Sequence, residues 1–156
     1  MITIELDFGK FKTTPLKKAP ETIQRSMVGA LKTTGVLLKA ALTAASPRDT
    51  GALANAHAFA VDEKNLSLVV FNRKAHAVFV HEGRRAGAKQ PPTKALRSWV
   101  RRKLGNRGLA FIVARSIRQK GIKARPWFAD TIKDKTSLVQ NTLQAALDQA
   151  IAEVSK

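Results

Sequence analysis

A chain of 156 residues is the usual length of one domain. There is no cysteine, which excludes disulfides, thiolate zinc sites and cysteine nucleophiles. With 28 basic and 11 acidic side chains the net charge is +17. An imbalance of that size strains a compact monomer by self-repulsion and favours an anionic partner, either nucleic acid or an acidic protein surface.

The chain opens on Ile2-Thr-Ile-Glu-Leu-Asp-Phe8, with Ile2, Ile4, Leu6 and Phe8 alternating with polar residues. Period two predicts a half-buried strand rather than a signal peptide, which would have a basic start and an apolar run. Gly9 to Lys18, with Pro15, reads as a basic connector. Pro20 and Glu21 suit the first turn of a helix. Ile23, Met27, Ala30, Leu31, Thr34, Leu38, Ala41 and Leu42 then recur every three or four residues, one apolar stripe. Gly29 and Gly35 weaken that helix or admit a close neighbour. The longest near-apolar run, Val36 to Ala45, is broken by Lys39 and is about half of the roughly twenty residues a membrane span requires. No membrane partner is expected.

Pro47 stops the helix, and Asp49 or Thr50 can cap a short turn at Gly51. His57–Val61 and Leu66–Asn72 read as two strands, with Asp62-Glu-Lys-Asn65 as the hairpin loop. Ala75–His81 is a strand or a short helix. Glu82–Pro92 reads as an exposed basic loop. Thr93 is expected to cap a helix reaching Leu104, with Leu96, Trp99, Val100 and Leu104 inward and Lys94, Arg97, Arg101, Arg102 and Lys103 outward. A second helix, Leu109–Gln119, turns Ala110, Phe111, Val113, Ala114 and Ile117 inward and ends at Gly121. After Pro126, a long amphipathic helix carries Phe128, Ile132, Val139, Leu143, Ala146, Leu147, Ala150, Ile151 and Val154. The expected fold class is α+β: a small antiparallel sheet packed against long N-terminal and C-terminal helices, with two further helices inserted, in a single domain over residues 1–156.

Catalytic readings find little footing. Asp49-Thr50-Gly51 matches the triplet of aspartic proteases, but those enzymes require two apposed carboxylates, and the triplet occurs once. Turn chemistry is the favoured reading of Pro47, Asp49, Thr50 and Gly51, and of Pro126. His57, His76 and His81 with Glu82 make a poor metal set, because a spacing of five puts His76 and His81 on mismatched faces of strand or helix. No nucleophile–base pair or phosphate loop is evident, so no catalytic residue, metal or cofactor is expected. The residues expected to meet an anionic partner are Arg84, Arg85, Lys89, Arg97, Arg101, Arg102 and Lys103. Trp99 and Phe128 are expected in the core, and Trp127 at a subunit contact.

Two segments carry a resemblance: Ser46-Pro-Arg-Asp-Thr-Gly-Ala-Leu-Ala-Asn-Ala56 after the long first helix, and Ala124-Arg-Pro-Trp-Phe-Ala-Asp-Thr-Ile132 at the start of the last. Ala77-Val-Phe-Val-His-Glu-Gly83 and Ala110-Phe-Ile-Val-Ala-Arg-Ser-Ile117 lie between them. In order and spacing these resemble the tail-component family of tailed bacteriophages, the neck or tail-completion proteins, and are similar to the lambda-type minor tail protein Z group. The resemblance covers residues 20 to 150. Two departures are a missing apolar residue between Glu82 and Gly83, and a longer helix pair over Thr93–Gln119. The resemblance implies an α+β fold, no catalysis, and a ring, six copies being the expected number, within the virion neck or tail, assembled in the host cytoplasm. Implied partners are sister copies and neighbouring tail-terminator, tail-tube or head-connector proteins, with phage DNA as a possible contact. A channel that attracted DNA strongly would hinder its passage, so protein docking is the expected use of the basic surface. The alternative is a nucleoid-type protein that binds nucleic acid non-specifically, which accounts for the charge but lacks a recognised nucleic-acid motif.

Overall fold

The computed structural model describes residues 2–6 and 20–155. The expected end of the first strand at Phe8 and the connector Gly9–Lys18 lie outside the described residues. The elements are strands β1 (Ile2–Leu6), β2 (His57–Asp62) and β3 (Ser67–Asn72), and helices α1 (Glu21–Ala45), α2 (Ala77–His81), α3 (Thr93–Leu104), α4 (Ala110–Lys120) and α5 (Trp127–Val154). This is the α+β class. The chain divides into two compact units, one running to Ala77 and resuming at Trp127, the other spanning Val78–Pro126.

In the first unit β3 is the central strand, antiparallel to β1 (Ile2 opposite Asn72, Leu6 opposite Leu68) and to β2 (His57 opposite Asn72, Asp62 opposite Ser67). Leu68, Val70 and Asn72 are buried and alternate with half-buried neighbours, as the pleat dictates. In the hairpin loop Asp62 Oδ1 accepts from Lys64 N and Asn65 N, both at 3.0 Å. The turn closes through Leu66, whose φ of 50° is left-handed and whose side chain is buried, so β3 starts one residue later than expected.

Pro20 O accepts the amides of Ile23 and Gln24 and opens α1. The helix buries Ile23, Met27, Ala30, Leu31, Thr34, Leu38 and Leu42, the expected stripe. By length and composition α1 could cross a membrane, but that stripe lies on the sheet and on α5, the packing of a core helix. Gly35 faces the Phe59 ring so closely that a Cβ would collide with it. The close-neighbour reading of Gly35 holds, whereas Gly29 faces open space. From α5, Phe128, Ile132, Val139, Leu143 and Ala150 join the core, while Ile151 and Val154, expected on the stripe, are about half exposed.

In the second unit, Pro92 rather than Thr93 stands at the start of α3, and Thr93 is its first helical residue. Gly105 at φ 73° ends α3, and Asn106 Oδ1 accepts from Gly108 N at 2.8 Å to start the next turn. Gly121 ends α4 as expected. Only Val100, Ala110 and Ala114 are fully buried between Val78 and Pro126. Trp99, expected as a core anchor, is 39% exposed, and Phe111, expected inward, is 57% exposed. Two short helices leave room inside for one small row of side chains, and Val100 with two alanines fills it. Glu82–Pro92 is largely an exposed loop, as expected, and it is anchored at two points: Arg84 and Ile122 exchange backbone hydrogen bonds at 2.9 Å, and Gly87 N donates to Arg118 O at 2.7 Å.

Candidate functional site

In the first unit the residues around the expected turn build an enclosed polar cluster. The residue before a proline leaves the helical region, so Ser46 ends α1 in an extended conformation. Its hydroxyl donates to Leu42 O at 2.7 Å. Having one proton, it then accepts from the His57 Nε2–H, 2.8 Å away at the start of β2. The Asn72 amide donates to Leu53 O at 2.9 Å and lies 3.3 Å from His57 Nδ1. Trp127 meets the imidazole edge-on at 5.1 Å, and Phe128 lies 5.9 Å from it. Ser46, His57 and Asn72 are all at least 95% buried.

Ser46 and His57 thus form the hydroxyl–imidazole contact that the sequence did not reveal. The hydroxyl proton is committed to a backbone carbonyl and the pair is enclosed. Burial also lowers the His57 pKa from 6.5 to about 4, which makes the imidazole a weak base at neutral pH. The arrangement is a clasp joining the end of α1, the start of β2 and the start of α5. Around it, Thr50 Oγ1 accepts from Ala52 N at 3.4 Å, and Gly51 takes φ 76° while its carbonyl accepts from Asn55 N at 2.9 Å. The turn reading of Pro47, Asp49, Thr50, Gly51 and Pro126 fits their positions between elements. Trp127 requires correction: it is 8% exposed, packed on His57 and Phe128 inside its own chain, and offers no surface to a neighbour. No group of three His, Cys, Asp or Glu able to hold a metal occurs among the described residues.

The first unit also carries an open groove of about 200 Å³ between α1 and α5, lined by Thr34, Leu37, Leu38, Lys135, Leu138, Val139 and Thr142. Leu37 and Leu138 are 44% and 48% exposed on it. Thr34 Oγ1 is buried with no hydrogen-bond partner among the described residues.

The second unit is where the charge lies. Residues 78–126 hold fourteen of the 28 basic side chains and one of the eleven acidic ones, Glu82, and so carry +13 of the +17. The ion pairs Arg25–Glu21 and Lys32–Glu63 belong to the first unit. Of the seven expected anion contacts, Arg85, Lys89, Arg97, Arg101, Arg102 and Lys103 are exposed. Arg84 is the exception: its guanidinium sits 5.4 Å from the Phe79 ring centre and donates to Lys89 O, so it braces its own loop. Sequence reasoning left out Arg107, Arg115, Arg118, Lys120, Lys123 and Arg125, all exposed in the same unit. A charge count over 49-residue windows would have found them. No protein-family profile, characterised protein or solved structure matches this chain.

Proposed function

We propose that the chain is a structural, non-enzymatic virion protein of a tailed bacteriophage, a ring subunit at the tail–head junction that completes the tail and joins it to the capsid. The observation that carries the reading is the meeting of its two motif segments. Ser46, which opens the first segment, and Trp127 and Phe128 of the second, about 80 residues further on, meet His57 in one buried clasp. A resemblance whose segments contribute residues to one buried contact has more support than one whose segments are scattered.

The chemistry agrees with a protein that works by contact. The hydroxyl–imidazole pair of Ser46 and His57 is sealed, while an apolar groove and a cationic surface are open. Sister copies, six in the proposed ring, bury the α1–α5 groove around Leu37 and Leu138, and the cationic unit faces an anionic partner at the junction. Tail-terminator, tail-tube and head-connector proteins are the neighbouring components.

The test is genetic and direct. A virus deprived of the chain should accumulate finished tails and filled capsids that fail to couple, counted in negative-stain micrographs. Normal coupling and infectivity in its absence overturn the proposal.

A further inference from the structure

We propose that the unit formed by residues 78–126 binds the phosphate backbone of double-stranded DNA without regard to sequence, with the outward face of α3 at its centre. The inference stands on the distribution of charge and not on the virion assignment.

Charge segregation comes first. Outside residues 78–126 the chain carries only +4 of its +17. With Glu82 as its only carboxylate side chain, the unit has almost no internal compensation, and its core of Val100, Ala110 and Ala114 is small. Self-repulsion of this size also disfavours contact with the same unit of a sister copy. The surface therefore fits a polyanion.

On α3, Lys94, Arg97, Arg101 and Arg102 follow at i, i+3, i+7 and i+8 and share one face, opposite the side buried through Val100. Four cations along about 12 Å of helix, one per roughly 3 Å, match the phosphate spacing along one strand of duplex DNA, roughly 3.4 Å of axis. Nine of the unit's fourteen cations are arginines, whose forked donors match phosphate oxygens.

The choice of duplex over single strand follows from the aromatic residues. Single-strand tracks interleave cations with rings on which bases stack. The cationic face of α3 carries Ser98 and no aromatic residue, while Trp99 lies off that face, beside Lys103. An acidic protein surface is the weaker match, because protein interfaces centre on apolar anchors with charge at the rim, and this face has charge at its centre. The difficulty of moving DNA past an attracting surface bears on a channel lined by cations, whereas these cations are gathered on one unit.

The experiment is fluorescence anisotropy of the full chain with a labelled 30-base-pair random duplex from 50 to 200 mM NaCl. Single-stranded DNA of the same length, polyglutamate and phosphatidylglycerol vesicles serve as competitors. Log affinity should fall linearly with log salt, with a slope of about −4 or steeper, roughly 0.9 per phosphate engaged. The quadruple variant K94Q/R97Q/R101Q/R102Q should bind at least about a hundredfold more weakly at 100 mM NaCl with a flatter slope. A control removing four exposed cations of the first unit, K39Q/K64Q/K74Q/K133Q, should change affinity less than about threefold. Circular dichroism of each variant should match the unaltered chain, and the salt slope of the unaltered chain is read without any variant. Equal loss in both quadruple variants, tighter binding to any of the three competitors, or a slope shallower than about −2 overturns the proposal.

Discussion

His57 makes folding depend on pH in a direction and amount that the clasp fixes. The imidazole is 3% exposed and neutral, with Nε2–H donating to Ser46 and Nδ1 facing the Asn72 amide. Protonation would place a charge in a buried site and set a donor at Nδ1 against the Asn72 donor. The pKa is accordingly lowered by burial to about 4, from 6.5. Between those values the unfolded chain binds a proton that the folded chain refuses, so stability falls as pH drops below 6.5 and levels off below about 4. The full gap is worth about 3 kcal/mol, of which about 2 kcal/mol is lost between pH 7 and 4.5. The measurement is urea unfolding followed by far-ultraviolet circular dichroism at pH 7 and 4.5, for the unaltered chain and for His57→Gln. Glutamine is polar and does not titrate, so the variant is less stable at pH 7 but should lose about 2 kcal/mol less on acidification. Carboxylate protonation and the rising net charge act on both chains and cancel in the difference. An identical loss in the two chains would refute the reasoning.

The two glycines of α1 should respond in opposite ways to the same change. Gly29→Ala adds a methyl group in open space and improves helix propensity, for a gain of about 0.5–1 kcal/mol, whereas Gly35→Ala drives that methyl into the Phe59 ring and costs about 1–3 kcal/mol, both read from denaturation midpoints. Gly121→Ala meets a left-handed φ of 75° and the Arg84 carbonyl oxygen together, and should loosen the Arg84–Ile122 bridge by about 1–3 kcal/mol. Faster amide exchange at Arg84 and Ile122 reports it, and unchanged exchange counts against it. Leu37→Asp with Leu138→Asp changes residues that are nearly half exposed, so the monomer should keep its stability within about 1 kcal/mol. Sedimentation should show the oligomer lost, and an undisturbed oligomer would remove the groove from the ring contact.

What could be read from the sequence was whatever local periodicity controls. The stripe from Ile23 to Leu42 is long enough to average over exceptions, and the hairpin is bounded by its own turn chemistry at Asp62. The second unit defeated the same reasoning. Each of the helices α3 and α4 has about three turns; α3 spreads Leu96, Trp99, Val100 and Leu104 over one broad half of its circumference and α4 carries apolar residues around most of its own, so spacing alone could not tell which of Trp99, Val100 and Phe111 goes inside. Packing decides: Val100 is fully buried, while Trp99 is 39% and Phe111 57% exposed. The Ser46–His57–Asn72 clasp was hidden for a different reason. Its members lie 11 and 15 residues apart on different elements, and no periodic signal connects them. Trp127 follows from the clasp: a ring beside Pro126 reads as a surface anchor until a buried imidazole is known to face it.

The division of charge between the units has a consequence for assembly. In the proposed ring, contacts through the α1–α5 groove would cover Leu37 and Leu138 beside one cation, Lys135, so that association would be mainly hydrophobic and would tolerate salt. The second unit, at +13, would repel its counterparts in sister copies of that ring, and such repulsion is screened within about 8 Å at physiological ionic strength. If the ring forms this way, salt should favour its closure while it weakens anion binding, and a bound polyanion should favour closure at low salt by neutralising the same charges. On that proposal anion capture and self-association would be coupled through electrostatics alone, and a subunit so charged would stay dispersed until it met an anionic partner.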